Sequence, residues 1–451
     1  MNTPIYDFVS RYAAKQQLRL HMPGHKGVSF IGAEAFDITE VKGADSLYEA
    51  LGIIKESEEN AGRLFGAQSF YSTEGSSHVI RAMLYLAVLF AREKGKKPHV
   101  LAGRNVHKVF LSAAALLDLT VSWLYPKGGD AYLSCTVDTA ELQRIFDNEN
   151  TRPTALYLTS PDYLGRTVDV AAVSALCRRY DVLLLVDNAH GAYLRFLSPS
   201  RHPMDLGADM CADSAHKTLP VLTGGAYLHI RKNAPVFLPR EAKRALMLFG
   251  STSPSYLTLA SLDKANAYME NGYRERLDNF VKIVKKCKSE LTKLGFSLYG
   301  DEPLKITIAP KSFGYCGVDV AAYLHKNGIV CEFADADFTV LMLTPENTSD
   351  DLQRLVSVLS ALPRSSPIGD VPPLTVKSSA ITSVREACFA PSEAVAVEKS
   401  LGRILADASV GCPPAVPILV AGERITRAAI DAFLYYGVHT VSVVKESEGE
   451  A

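Results

Sequence analysis

Between residues 50 and 230, short aliphatic and β-branched runs alternate with helical patterns. This alternation narrows the possible folds more than any other property of the chain. Strand candidates are 99–102, 121–125, 155–159, 182–186, 209–213 and 225–230. Helical patterns cover 54–65, 79–93 and 170–180, and the run VIRAMLYLAVLFARE at 79–93 is apolar nearly all round, as in a buried helix. Strands separated by helices need crossover connections. They therefore build a mostly parallel sheet with helices on both faces. The expected fold class is α/β, with a mostly parallel central sheet covered by helices and a smaller α/β C-terminal region.

The pattern changes after residue 230. Residues 257–294 read as one long charged helical stretch. A smaller α/β pattern follows, with strands at 305–309, 329–333 and 339–343 and helices at 318–326 and 350–361. PRSSPIGDVPPL at 363–374 has the composition of a linker. A helix–strand–helix–strand pattern then runs over about 391–444, and the tail KESEGEA is expected to fray. These shifts divide the chain into 1–285 (N-terminal arm and large domain), 286–362, the linker and 375–451.

Composition excludes several function classes. Lys and Arg total 48 against 49 Asp and Glu, a net charge of -1. A protein that binds nucleic acid or anionic membranes usually carries a basic surplus. The longest apolar run is roughly half the ~18 residues of a membrane span. The N-terminus MNTPIYDFVSRYAAKQQ has no apolar signal region, so the expected location is cytoplasmic. Eight cysteines are scattered without a CxxC pair. They read as reduced thiols, and no metal site is expected.

Four segments carry chemistry. In LLLVDNAHGAYLRF (183–196), an apolar run ends at Asp187. Polar residues just past strand ends face the ligand crevice of α/β sheets. A buried carboxylate needs a partner, and a cationic ring nitrogen would be suitable. Thirty residues on, ADMCADSAHKTLPVLTGGAYLH (208–229) sets Lys217 among Ser214, His216 and Thr218, ahead of a Thr-Gly-Gly turn. Lysine is the residue that forms Schiff bases with carbonyl groups. TEGSSHVIRAML (73–84) opens a helix with Gly-Ser-Ser, where N–H groups and the hydroxyls of Ser76 and Ser77 can cradle an anion or simply cap the helix. No GxxxxGK[ST] occurs, which favours a single phosphate over a triphosphate. RNVHKVF (104–110) puts His107 after a strand, able to stack on an aromatic ring or to cap the next helix.

These segments resemble those of the pyridoxal-phosphate-dependent ornithine/lysine/arginine decarboxylases of the aspartate-aminotransferase fold. The likeness is greatest to the short bacterial branch without the N-terminal wing domain. It covers almost the whole chain and includes LHMPGHKG (20–27), ESEENAGRLFGA (56–67), SPDYLG (160–165), STSPSYLTLASLD (251–263) and CPPAVPILVAGE (412–423). The resemblance implies that Lys217 carries pyridoxal phosphate and that Asp187 pairs with its ring nitrogen. It implies that His107 stacks on one ring face and Ala189 packs against the other. Ser76, Ser77, Ser214 and His216 would hold the phosphate, and Ser251, Thr252 and Ser253 would reach it from a neighbouring subunit. A homodimer with shared sites follows, with higher oligomers open. His216 or Lys217 would return a proton to Cα after carbon dioxide leaves.

The chain departs from the family pattern at Glu74, where Asn is usual, and at His78. A carboxylate beside a phosphate should weaken cofactor binding unless Glu74 points away. His21, His25 and Lys26 lie in the expected entrance segment, and His190 reads as structural. A basic substrate needs acids at the far end of its pocket, for which Glu332, Asp335, Asp337 and Glu423 are candidates. Arginine or lysine is preferred over ornithine. An aminotransferase or other lyase on the same fold, and an inactive regulatory paralogue, are the competing expectations.

Overall fold

The computed structural model describes residues 1–15, 17–126, 132–407, 411–412 and 416–446. The final five residues of the expected frayed tail, and 413–415 of the motif at 412–423, lie outside the described residues. The first seven strands are β1 (Gln68–Ser72), β2 (His99–Gly103), β3 (Thr120–Leu124), β4 (Ala155–Thr159), β5 (Leu183–Asp187), β6 (Met210–Asp213) and β7 (Ala226–Ile230). Two compact units emerge, each discontinuous in sequence: 1–96 with 169–278, and 97–168 with 279–451. They do not follow the expected divisions of the sequence pattern, because neighbours in space are gathered from distant parts of the chain.

In the first unit the strand order is β1-β7-β6-β5. β5 and β6 run parallel, with Asp187 opposite Ala212. β7 is antiparallel to both β6 and β1. The reversal has a local cause. Between β6 and β7 the chain forms the four-residue helix Ala215–Thr218 and a turn, too little for a crossover back to a parallel start. The strand β1 was not anticipated; Gln68–Ser72 has a mixed burial pattern and little aliphatic content. The buried helix is longer than its apolar pattern predicts. It spans Gly75–Glu93, beginning at the Gly-Ser-Ser turn itself.

In the second unit β2 pairs in parallel with both β3 and β4. A second sheet contains β8 (Ser297–Tyr299), β9 (Lys305–Ala309), β10 (Phe333–Ala334) and β11 (Thr339–Met342), in the order β10-β11-β9-β8. The expected long helix over 257–294 is broken into Tyr256–Glu270 and Tyr273–Lys293. Gly272 supplies the break with a φ of +71°, a conformation that costs glycine little. The Pro-rich segment is not a free tether. Ser365 N–H donates to the Phe313 carbonyl (3.1 Å) and Ile368 N–H to that of Lys311 (3.0 Å). The C-terminal pattern is as expected, with helix Val384–Phe389, strand Ser392–Ala396, helix Arg427–Tyr435 and strand Thr440–Val444. Among the described residues, no helix is long and apolar enough to cross a membrane.

Candidate active site

The parallel pair β5–β6 ends in two loops, and these carry Asp187 and Lys217. Asp187 is the last residue of β5 and is 2% exposed. Its Oδ1 accepts the N–H of Ala189 at 3.2 Å. Ala189 is itself buried, and a larger side chain would need space that this loop lacks. Lys217 lies on the short helix after β6, and its Nζ is 2.9 Å from Nε2 of His190. His190, expected to be structural, therefore belongs to the lysine's immediate surroundings.

The serine cradle is assembled between the same loop and the start of the buried helix. Ser214 Oγ donates to Ser76 Oγ at 2.7 Å. Gly75 begins the helix at a φ of +74°, and its N–H donates to the Gly224 carbonyl at 2.7 Å. The Thr-Gly-Gly turn is thereby joined to the helix start. His216 donates from Nδ1 to the Gly225 carbonyl at 3.0 Å. A Cβ added to Gly75 would lie 3.9 Å from the His216 Cε1, which puts this imidazole beside the cradle. Ser77 is half-buried one residue beyond Ser76.

The two departures from the family pattern have structural roles. Glu74 occupies the N-cap but makes no side-chain cap bond. Its Oε1 instead accepts the N–H of Ser251 at 2.6 Å. The carboxylate is thus spent on the 251–253 segment, whose three residues are exposed. His78 is 1% exposed; Ser72 Oγ lies 2.8 Å from its Nδ1, and its Nε2 donates to the Leu246 carbonyl at 2.7 Å. Burial holds this imidazole below its ordinary pKa.

A buried polar cluster beneath the two loops escaped the sequence reading. Asp213, fully buried at the end of β6, accepts Asn188 Nδ2 at 2.7 Å on one oxygen and His202 Nε2 at 2.9 Å on the other. His229 Nε2 is 3.3 Å from that second oxygen, and Cys211 Sγ is 3.2 Å from the first. Burial alone would raise the Asp213 pKa, but attraction and hydrogen bonding from His202, joined by His229, drive it far below the usual carboxylate range. His202, Cys211 and Asp213 bring one ligand atom each within 4.8 Å of one another, a grouping that their spacing in sequence does not announce. The carboxylate is already saturated with donors, and the cluster's evident work is to tie Asn188 to the end of β6.

The remaining predicted residues fall elsewhere. His107 is the N-cap of Lys108–Leu117, and its Nδ1 accepts the Val109 N–H at 3.2 Å, so the capping alternative is realised. In the entrance segment, His21 bonds Tyr12 Oη, His25 Nε2 is 3.2 Å from Asp37, and Lys26 reaches the His21 carbonyl at 2.6 Å. The expected substrate acids need correction. Glu423 is buried against Arg104 (3.2 Å) and accepts the Val420 N–H. Asp337 is held by Lys311 (2.6 Å) and by the Tyr435 hydroxyl (2.7 Å). Asp335 closes its own turn, accepting the N–H groups of Asp337 and Phe338, and burial raises its pKa to about 6. These three carboxyls serve the fold. Glu332 is exposed and lines a cavity of about 410 Å³ with Arg354 and Asp351.

A parallel strand pair with an Asp at one end and a Lys past the other, beside a serine-lined helix start, defines an α/β enzyme of the pyridoxal-phosphate type I fold. The lysine decarboxylase LdcF of Francisella novicida superposes over 98% of this chain and 81% of its own, with a TM-score of 0.80 at 19% identity. The constitutive lysine decarboxylase of Escherichia coli gives 98%, 82% and 0.79, also at 19% identity. These likenesses carry the fold. In sequence, the model of the Orn/Lys/Arg decarboxylase major domain matches residues 3–298. Arginine decarboxylase of Bacillus subtilis is 28% identical over 95% of this chain and 92% of its own length. The uncharacterized protein YaaO of the same organism is 30% identical over 95% and 93%. The chain belongs to the Orn/Lys/Arg decarboxylase family. Its reaction class is the pyridoxal-phosphate-dependent decarboxylation of a basic amino acid. The ureidoglycine-glyoxylate aminotransferase of Bacillus subtilis shares the fold, with a TM-score of 0.55 at 15% identity, but the family is that of the decarboxylases.

The residues present fit the cofactor of that class. The N-cap of Gly75–Glu93 supplies no side-chain acceptor, and its carboxylate is turned onto Ser251, which leaves the helix start suited to an anion. Ser76 and Ser214 already face one another there, and Asp187 and Lys217 complete the donor set.

Proposed function

We propose that this chain decarboxylates arginine, with pyridoxal phosphate bound to Lys217 in a cytoplasmic homodimer. The observation that carries the reading of the site is the joint geometry of the β5 and β6 ends. The two loops are stitched together by the Asn188 N–H to the Ala212 carbonyl (3.0 Å) and by Asn188 Nδ2 to Asp213 (2.7 Å). Arginine is favoured because four curated relatives carrying that name are 25–28% identical over 93–95% of this chain. A lysine decarboxylase match has 22% identity over 85%.

In this reading, Ser76, Ser77, Ser214 and His216 bind the cofactor phosphate at the helix start. Asp187, held by its buried strand, keeps the ring nitrogen protonated. The bound cofactor supplies an electron sink for the pair released when the Cα–carboxylate bond breaks. The chain's part is to hold that bond perpendicular to the ring, a positioning effect that supplies much of the acceleration. Ala189 leaves room for the ring on one side, and His107 would cover the other. Glu332 remains a candidate for the distal substrate contact, since the other three acids are engaged.

The dimer is supported by the N-terminal segment of the first unit. Leu18 (83% exposed), Leu20 (84%), Phe30 (75%) and Ile31 (86%) present apolar surface that a monomer rarely leaves open. The exposed 251–253 segment, fastened by Glu74, suits delivery of Ser251, Thr252 and Ser253 to a partner's phosphate site. The described cysteines are free thiols, as suits a reducing cytoplasm.

Incubation with arginine, lysine or ornithine, with carbon dioxide and amine measured, tests the reading. Release from arginine is expected, and release from none of the three would overturn it. Lys217→Ala should lose both the visible cofactor band and turnover. Asp187→Asn should keep the band while turnover falls by roughly 10²-fold or more, the scale of a lost electrostatic partner. Unchanged turnover in Asp187→Asn would remove the ring-nitrogen role.

A further inference from the structure

We propose that His190 is the proton partner of Lys217: it takes the proton that keeps the lysine nitrogen unreactive and returns it when the lysine leaves the cofactor. The proposal rests on the reading of Lys217 as the cofactor lysine.

The geometry starts from a distance. Nζ of Lys217 and Nε2 of His190 are 2.9 Å apart. An ammonium has donors and no acceptor, so with the lysine protonated Nε2 is the accepting atom. Proton transfer along this line needs no rearrangement. His190 is 4% exposed, which shields the exchange from bulk water.

The imidazole is also held in place. The turn before it closes through the Gly191 N–H to the Asn188 carbonyl at 2.8 Å. A Cβ at Gly191 would fall 2.0 Å from Asn188 Oδ1, so the turn has no room for a side chain there. Asn188 is anchored in turn to Asp213, four residues ahead of Lys217. The two partners thus sit on loops locked to each other by a buried cluster, and their separation does not depend on a flexible side chain at the surface.

The neighbouring imidazole is placed for different work. His216 donates from Nδ1 to the Gly225 carbonyl and lies beside Gly75, at the phosphate end. His190 is at the amine end. The two histidines divide the site between them, which the motif Ser-x-His-Lys by itself does not reveal.

The proton count closes. The ammonium of Lys217 gives one proton to His190 and becomes a neutral amine. That amine joins the cofactor aldehyde carbon with loss of one water, forming a carbon–nitrogen double bond. When a substrate amine takes over the same carbon, the bond to Nζ breaks. The departing nitrogen then gains a proton, and His190 carries it. No oxidant or further reactant is required.

The test uses full-length protein stripped of cofactor and then mixed with pyridoxal phosphate at neutral pH. The rate of covalent attachment is followed by the visible band, and the attachment site by borohydride trapping and mass spectrometry. His190→Gln keeps a polar atom near Nζ but cannot carry a proton; His190→Ala leaves a space that added imidazole can fill. Both variants should attach the cofactor about 10²-fold more slowly, the usual worth of a positioned acid–base group. Imidazole should accelerate His190→Ala and leave His190→Gln unchanged. Attachment by either variant at the wild-type rate, or restoration by Gln alone, would overturn the proposal. Wild-type trapping at a residue other than Lys217 would instead refute the underlying reading, so the two failures are distinguishable.

Discussion

At the scale of single residues, the most consequential charge outside the reacting groups is Asp213. It is fully buried and supported by His202, His229 and Asn188. Asp213→Asn presents an amide where histidine or asparagine donors already converge, and we expect a loss of about 3 kcal/mol of stability. The pH dependence has a definite sign. The folded pKa of Asp213 is depressed, so its stabilisation is present above the unfolded value of about 3.9 and is lost as pH falls toward the folded one. The gap in thermal stability between wild type and Asp213→Asn should therefore narrow below about pH 4. A gap that stays constant from neutral to acid pH would show that the charge is not what matters. His229 adds to the acid sensitivity of the wild type. Burial lowers its folded pKa, so below about pH 6.5 the unfolded chain takes up a proton that the folded one refuses. Legibility at this scale depended on how local the signal was. Asp187 and Lys217 could be read because each follows an apolar strand within its own segment. His190 could not, because its meaning is a 2.9 Å contact with a residue 27 positions away. The acids after residue 330 were misread for the same reason. The partners of Asp337 are Lys311 and Tyr435, and that of Glu423 is Arg104, 319 residues distant.

At the scale of elements, the helix Gly75–Glu93 connects sequence to site most directly. Its apolar body was legible from periodicity. Its first turn was not, because the start is set by Gly75 at a φ of +74° and by the bond from its N–H to Gly224. The space around Gly75 is open, since the nearest atom to an added Cβ is 3.9 Å away. Any penalty of Gly75→Ala is therefore a backbone penalty, about 1–2 kcal/mol for a left-handed alanine. Relief of that strain would rotate the helix start away from Ser214. The variant should thus lose pyridoxal-phosphate affinity by more than its loss of stability explains, as measured by equilibrium dialysis beside thermal unfolding. Wild-type affinity would mean that the helix start is not the phosphate cradle. The antiparallel β7 illustrates the opposite limit. Its residues were read as a strand, but its direction depends on the length of the β6–β7 connection and not on its own composition.

At the scale of the molecule, the sequence offered a clean cut at the Pro-rich 363–374, and the packing of the second unit argues against an autonomous domain beyond it. One hydrophobic cluster combines Tyr132, Leu133, Leu164, Phe338 and Val340 with Val376, Ile418, Ile430, Phe433 and Val443. The Val376 N–H donates to the Tyr132 hydroxyl at 2.9 Å. Arg104, 1% exposed, donates to the Pro417 and Ile418 carbonyls and pairs with Glu423. A chain ending at residue 362 would uncover the first five side chains, at about 1.5–3 kcal/mol for each aliphatic or aromatic group. It would also strand a buried guanidinium, for about 3–5 kcal/mol more. Those losses rival the ~5–15 kcal/mol that holds a typical domain folded. Residues 375–451 alone would lack half of the same core. We therefore expect the chain truncated at 362 to be insoluble or rapidly proteolysed, and the isolated 375–451 fragment to show no cooperative unfolding by circular dichroism. The prediction separates packing from composition, because a linker defined by proline and serine content alone implies that both fragments fold. A soluble 1–362 protein with a sharp thermal transition would show that the shared cluster contributes far less than its burial indicates.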